Sequence, residues 1–419
     1  MMVEMKRDSG TLTVVLPKKI DTNNADGIHR EIMECDAFPA SERIIFDAMA
    51  LEYISSAGLR MILSIRKMKN DLKIINVNDA CWQIFEMTGF AQIFDIERVL
   101  RFVSLDGLEV LGRGRNGSTY RLNPEMVLKV YNSVKSQGEA NRILLNVRQA
   151  FVRGIPTMIP FEVVETPDGL GTVFEMFDAE CFSTFITSHP EKTEDAAKTI
   201  GNLALKLSST DLTGSGVMSR RDLLLWSIQE VEGLISEEDI STLRYYVETA
   251  PNRCTAVHGD LHARNIMMGN GEYLLIDMDD FSYGHPVWDL AAIDRVYNLL
   301  VKLDTQLMYE TYPIPEGLTV DAWVTKVVQV PLYQREALWK GITDCYFEKL
   351  STDDREKCLA LIDFYTLFLI LMEVVEMCRD VRNDPEALAD RKQVFEKLLN
   401  LLREQDFESL KGAFDLWNV

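Results

Sequence analysis

The sequence predicts two kinds of unit in succession: an α/β unit over the first hundred residues, then an α+β unit whose strand-rich start gives way to a long helical part. Three observations carry this. Residues 12–77 run strand, helix, strand, with apolar positions in step with each element. Residues 108–131 place two strand patterns around a glycine-rich turn, and from Asp321 onward the pattern is helical. At 419 residues the chain exceeds what one core usually holds, so two or three folding units are expected.

In order, Leu12–Leu16 and Arg43–Asp47 read as strands, and residues 57–68 as a helix with Leu59, Ile62, Leu63 and Ile65 on its apolar side. Lys73–Val77 is the next strand, which completes a strand, crossover helix, strand unit. A boundary falls near Val103–Gly107, dividing the chain into residues 1–103, 104–178 and 179–419. No long Gly/Ser-rich or Pro-rich linker marks it, so the first unit is expected to sit directly against the next. Met126–Tyr131 is a strand, and Glu139 opens a helix with Ala140, Ile143, Leu144 and Val147 on one face. Trp323, Trp339 and Trp417 are expected core or groove aromatics of the helical part.

The chemistry concentrates in Val257–Ala291, VHGDLHARNIMMGNGEYLLIDMDDFSYGHPVWDLA. Ile266–Met268 and Tyr273–Ile276 are short strands around Asn270-Gly271, a strong two-residue hairpin signal. Folding there sets Asn265 facing Asp277 at the same open end, where an amide oxygen and a carboxylate can share Mg²⁺. Asp260 lies one loop away, placed to orient and deprotonate an attacking hydroxyl, while His258 and Gly259 read as features that hold the loop. Upstream, Gly112, Gly114 and Gly117 with Ser118 lie in LGRGRNGSTY, where the absence of side chains lets backbone N–H groups approach phosphate oxygens.

HGDLHARN with IDMDD and PVWDLA resembles the aminoglycoside phosphotransferase and choline kinase branch of the protein-kinase-like superfamily, over about residues 105–419. The resemblance implies a bilobal protein-kinase-like fold, with a small β-rich N-lobe and a large helical C-lobe. It also implies ATP and Mg²⁺ as cofactors. It matches Lys129 to the phosphate-pairing lysine and Glu139 to the carboxylate that steadies it. The rival readings are a solvated strand lysine and a first-turn acid favoured by the helix dipole. Thr172–Phe177 looks like the hinge, where backbone groups of Glu175 and Phe177 would read the adenine edge with Phe174 behind the base; a buried strand is the compatible alternative. Asp289 resembles the aspartate that braces the catalytic loop, or else caps a helix. Protein kinases of the familiar kind carry Arg before the catalytic Asp, Lys two residues after it, and DFG at the metal site. Gly259, His262 and Asp277-Met278-Asp279 stand there instead, which points to a small-molecule hydroxyl acceptor without excluding a protein.

FDAMALEYISSAGLRMILSIRKM, followed by NDACWQIFEMTGF, resembles the STAS domain of anti-sigma-factor antagonists over about residues 8–100, a sheet with helices and a regulatory protein partner. The family's phosphorylation switch, a serine at the start of a helix, falls on Ser56. A phosphate there would meet free N–H groups and the positive end of the helix dipole. The preceding residue, commonly Asp in that family, is Ser55, which can simply cap the helix.

Residues 1–104 hold 13 Lys+Arg against 15 Asp+Glu, so all but two of the 21 net negative charges lie after them. That balance argues against nucleic acid and anionic lipid and favours a cationic acceptor, unless it serves solubility alone. Seven cysteines, an odd count without CxxC, read as reduced core residues of a cytoplasmic protein. The N-terminus has no apolar secretory core, and Phe364–Met372, flanked by Asp363 and Glu373, is too short to span a bilayer.

The expected function is ATP-dependent phosphoryl transfer to a hydroxyl of a small molecule, under a STAS regulatory module. Two other readings stay open: a nucleotide-binding adaptor without catalysis that docks a partner through the STAS part, and a protein kinase, with Ser56 among its candidate targets.

Overall fold

A computed structural model describes every residue except 1, 2, 115, 135, 418 and 419, and the backbone alone of residues 92 and 299–302. Arg115 of the glycine-rich run therefore lies outside the described residues. The chain divides into two compact units, Met1–Arg142 with Phe161–Phe174, and Ile143–Pro160 with Glu175–Val419.

The first unit contains two larger sheets and a short parallel pair, Lys19–Ile20 with Tyr53–Ile54. One has five strands in the order Glu4–Asp8, Thr11–Val15, Arg43–Asp47, Asp71–Val77, Asp95–Arg98; the first pair is antiparallel and the rest are parallel. Parallel pairing requires crossovers, supplied by the helices Ala25–Met33, Ser56–Met68 and Asp79–Met87. The expected strand, helix, strand unit is therefore present. Burial alternates along Thr11–Val15 and Arg43–Asp47, so Leu12, Val14, Ile44 and Phe46 face the core while their neighbours do not. On Ser56–Met68 the buried residues are Gly58, Leu59, Met61, Ile62 and Ile65; Leu63 is only partly covered, because 58, 61, 62 and 65 repeat at the helical period and 63 lies off that stripe. Ser55 caps this helix, its side chain accepting from the Ala57 N–H at 3.2 Å, and Ser56 is exposed.

The second sheet has six strands in the order Arg101–Phe102, Pro160–Thr166, Gly169–Glu175, Met126–Tyr131, Gly117–Asn123, Glu109–Arg113. Its small core is Val103, Tyr120, Leu128, Val130, Val164 and Val173. No tether separates the two sheets: Arg101–Phe102 follows three residues after Asp95–Arg98 ends the first, and pairs in parallel with Pro160–Thr166 in the second.

The second unit is mainly helical, built around Thr352–Asp380 with Thr193–Ser208, Val287–Lys302, Leu332–Tyr346 and Pro385–Arg403. The apolar run Phe364–Met372 is the middle of that 29-residue helix, so the length argument against a membrane span does not hold. Burial replaces it: 78% of its most apolar window is covered within the protein, with Tyr365 and Phe368 packed on Trp288. Trp417 is buried, while Trp323 and Trp339 are half-buried. All seven cysteines are free thiols; Cys81, Cys358 and Cys378 are buried, and Cys254 is exposed.

Candidate active site

Ile266–Gly269 and Glu272–Leu275 pair antiparallel, and the turn residues Asn270 and Gly271 have φ of 53° and 80°, as a primed two-residue turn requires. The ladder extends by the Ile276 N–H donating to the Asn265 carbonyl at 2.9 Å. The residue opposite Asn265 is thus Ile276, and Asp277 follows it, one position from the expected register. Asp277 has φ 59° and ψ 54°, a left-handed conformation uncommon outside glycine that turns the chain sharply as the strand ends.

Asp260 sits on the loop before the hairpin. The Asn265 amide nitrogen donates to its main-chain oxygen at 2.9 Å and to Oδ2 at 3.1 Å. Both partners only accept, so the amide nitrogen must face them and the amide oxygen points elsewhere, available as a hard oxygen ligand. Asn265 is buried.

The loop is held from two sides. Asp289, 3% exposed and in the first turn of Val287–Lys302, accepts from the His258 N–H at 2.9 Å and the Gly259 N–H at 2.8 Å, which is the bracing arrangement rather than a helix cap. Burial pushes its pKa up, against the pull of His258 and these two N–H groups. His258 is fully buried; its Nδ1 lies 3.3 Å from the Asp260 N–H, so Nδ1 accepts and Nε2–H donates to the Ile276 carbonyl at 3.0 Å. One imidazole therefore links the Asp260 loop to the residue before Asp277. Gly259 has φ 88°, and a Cβ there would lie 2.9 Å from the Asp280 Cβ and 3.0 Å from its carbonyl, so the position takes only glycine without strain.

Residues remote in sequence complete the surroundings of Asp260. Arg295 Nη2 lies 2.9 Å from Oδ1, and His262 Nε2 lies 3.3 Å from Oδ2. Arg295 also pairs with Glu373, which accepts from the Tyr312 hydroxyl at 2.9 Å. Burial alone would raise the Asp260 carboxyl, but His262 and Arg295 outweigh it and hold it well below the usual carboxylate range. Arg295 and Glu373 were not singled out from the sequence. Their separations from Asp260, 35 and 113 residues, carry no local signal.

Of the residues expected at the nucleotide, Gly112 lies on Glu109–Arg113 and Gly117 and Ser118 open Gly117–Asn123, with the Gly114 N–H donating to the Gly117 carbonyl at 2.8 Å to close the turn. Lys129 is on Met126–Tyr131, its Nζ 5.2 Å from the Tyr131 ring centre, and Glu139 is in the first turn of Gln137–Val152. Ala140, Ile143, Leu144 and Val147 are buried along that helix, as its spacing predicts. The Glu175 N–H donates to the Ile159 carbonyl at 3.0 Å and its carboxylate accepts from the Ile159 N–H at 2.8 Å, so that N–H is committed within the fold; Phe177 follows the strand.

Residues 2–102 match the model of the STAS domain, and residues 107–295 that of the phosphotransferase enzyme family. The chain joins a STAS domain to a phosphotransferase-family domain. The STAS part is 28% identical over 100 residues to a Bordetella bronchiseptica protein named as an anti-sigma factor antagonist, covering 23% of this chain and 85% of that one. A choline/ethanolamine kinase family protein from Mesorhizobium loti is 14% identical, with 74% of this chain and 93% of that one covered at a TM-score of 0.44. An aminoglycoside phosphotransferase from Streptomyces rimosus is 13% identical, with 69% and 99% covered at a TM-score of 0.41. The phosphotransferase-family domain thus holds the glycine run and Lys129 near its start and Asp260, Asn265, Asp277, Asp289 and Arg295 near its end.

Proposed function

We propose that this protein is an ATP-dependent phosphotransferase acting on a hydroxyl of a small molecule, with residues 1–103 as its regulatory STAS module, 104–178 as the N-lobe and 179–419 as the helical C-lobe. The observation that carries the reading is the contact of Asn265 with Asp260, on a hairpin that brings Asp277 to the same end. Among the described residues no three His, Cys, Asp or Glu side chains gather as a metal site. Mg²⁺ in phosphoryl transfer needs only one or two protein oxygens beside those of the phosphates, which the Asn265 amide oxygen and the Asp277 carboxylate would supply. Bound there, the metal would offset charge on the β- and γ-phosphates.

Asp260 would accept a hydrogen bond from the acceptor hydroxyl, aim its oxygen at the γ-phosphorus, and take its proton as the new O–P bond forms and the bond to ADP breaks. A carboxylate held so acidic is a weak base. In a loose transition state the hydroxyl proton is still on oxygen while the phosphoryl group moves, so orientation is the larger share of its task. Lys129, steadied by Glu139, would pair with the phosphates under Gly112, Gly114, Gly117 and Ser118, and the Glu175 carbonyl with the Phe177 backbone would read the base. The acidic charge of the second domain favours an acceptor carrying an amine. On the STAS module, exposed Ser56 at the start of its helix is the proposed phosphate acceptor, and a signalling protein its partner.

The test is ADP release from Mg·ATP across a panel of amino alcohols and aminoglycosides. Turnover that falls at least a hundred-fold in Asp260→Asn, with ATP still bound, supports the reading. ATP binding without transfer to any acceptor would instead favour a docking adaptor.

A further inference from the structure

Asp95–Arg98 is the edge strand of the STAS sheet, and an edge leaves backbone groups in want of partners. At Arg98 a side chain supplies them. Gln137 Oε1 accepts from the Arg98 N–H at 2.7 Å, and its Nε2 donates to the Arg98 carbonyl at 2.6 Å. The carboxamide thus pairs both ways with one residue, as a neighbouring strand would. Gln137 is the first residue of Gln137–Val152, two before Glu139, whose N–H is capped by Ser136 Oγ at 3.2 Å. The partners lie 39 residues apart, in different domains of one compact unit.

Arg98 is itself anchored to STAS elements. Its guanidinium lies 4.9 Å from the Trp82 ring centre and 2.5 Å from Asp79 Oδ1, both on the helix Asp79–Met87. The next residue, Val99, donates to the Val77 carbonyl at 2.9 Å. Beyond it, Arg101 Nη2 meets Glu162 at 2.7 Å and the Val103 N–H meets the Glu165 carbonyl at 2.8 Å, so the chain from 98 to 103 is fixed at both ends.

We infer that Gln137 is a positioning residue through which the STAS domain sets the first turn of the Glu139 helix, so that a change on the helix Asp79–Met87 alters nucleotide affinity. This rests on the phosphotransferase reading for the role of Glu139, whereas the tether itself does not. Trp82 is the STAS-side lever, because its ring orients Arg98; Gln137 is the link; the lysine-steadying carboxylate is the output. A fixed two-bond link transmits a shift of the edge strand directly to the helix start, where a flexible linker would absorb it.

A double-mutant cycle on the full-length protein tests this, with Mg·ATP as the probe and amide hydrogen exchange as a second readout. Gln137→Ala is expected to weaken Mg·ATP binding about three- to ten-fold, a typical coupling magnitude. Trp82→Ala is expected to weaken it by a similar factor in the wild-type background and to have no further effect in the Q137A background. Exchange at residues 138–142 should quicken in Q137A while Thr11–Val15 and Arg43–Asp47 stay protected. Affinity and exchange unchanged in Q137A, or effects of the two substitutions that simply add, would overturn the inference. If the wild-type protein binds no Mg·ATP, the phosphotransferase reading fails and the exchange readout decides the tether: faster exchange at 138–142 upholds it, and unaltered exchange refutes it.

Discussion

Arg295 Nη2 lies 2.9 Å from Asp260 Oδ1, and the same guanidinium pairs with Glu373, so the proposed catalytic carboxylate is held by a cation shared with a second acid. His262 and Arg295 together set the acidity of Asp260, and the Arg295 share comes from a helix that starts 27 residues downstream of it.

Arg295→Gln should therefore raise the Asp260 pKa towards its ordinary value. A carboxyl depressed in the folded state contributes stability above its unfolded pKa of about 3.9 and loses it as pH falls through the lower folded value. With Arg295 removed, that window narrows and less stability from Asp260 is present at neutral pH. Urea midpoints from pH 7 down to pH 2 are expected to show a loss of about 1–2 kcal/mol that is flat to about pH 4 and shrinks only below it. A difference independent of pH would mean that Arg295 acts on Asp260 by packing alone.

Two glycines of one loop should separate folding from binding. A Cβ on Gly117 would run into the Val130 carbonyl, so Gly117→Ala is expected to cost about 1–3 kcal/mol in thermal or urea unfolding. A Cβ on Gly112 meets no atom within 4 Å, so Gly112→Ala should leave stability within about 0.5 kcal/mol. If phosphate packs on that backbone, the same methyl should weaken Mg·ATP about five-fold by titration calorimetry. Equal ATP affinity in Gly112→Ala would remove this glycine from the proposed site.

The sequence made local relations readable. Asp260, Asn265 and the Asn270-Gly271 hairpin lie within a dozen residues, where turn chemistry and strand period settle the geometry. The crossover helix and the Glu139 helix were legible for the same reason. Leu63 packs on the core from the edge of the buried stripe and is only half-buried, because one residue's step of 100° carries a side chain away from the centre of that stripe, and the Asn265–Asp277 register differs by one because the left-handed turn at Asp277 is not written in its neighbours. Arg295, Glu373 and the Gln137–Arg98 pair depend on tertiary packing between distant segments. Periodicity does not report on such contacts.

His285 offers a pH test away from the proposed chemistry. It is fully buried against Phe414 and Trp417, its Nδ1 accepts from the Val287 N–H at 3.1 Å, and burial first, then the Arg253 charge, push its pKa down to about 3. An unfolded histidine titrates near 6.5, so between there and about 3 the unfolded chain binds the extra proton. Stability is expected to fall as pH drops through this window, by up to about 1.4 kcal/mol per pH unit from this residue. Denaturant unfolding of the wild type and His285→Phe from pH 7 to 4 checks it: the variant should start less stable and show the shallower slope. Parallel slopes would assign the acid sensitivity elsewhere.

The claim on which the rest depends is that Asn265 and Asp277 hold Mg²⁺ for a nucleotide beside Asp260. Calorimetric titration of ATP into the protein, with Mg²⁺ and with EDTA, tests it most directly on the wild type and on Asp277→Asn, a substitution whose side chain tolerates the left-handed backbone. The expected result is Mg²⁺-dependent binding that weakens at least ten-fold in the variant while its unfolding midpoint is kept. ATP binding that ignores Mg²⁺, or an Asp277→Asn protein that binds Mg·ATP as the wild type does, would contradict the account.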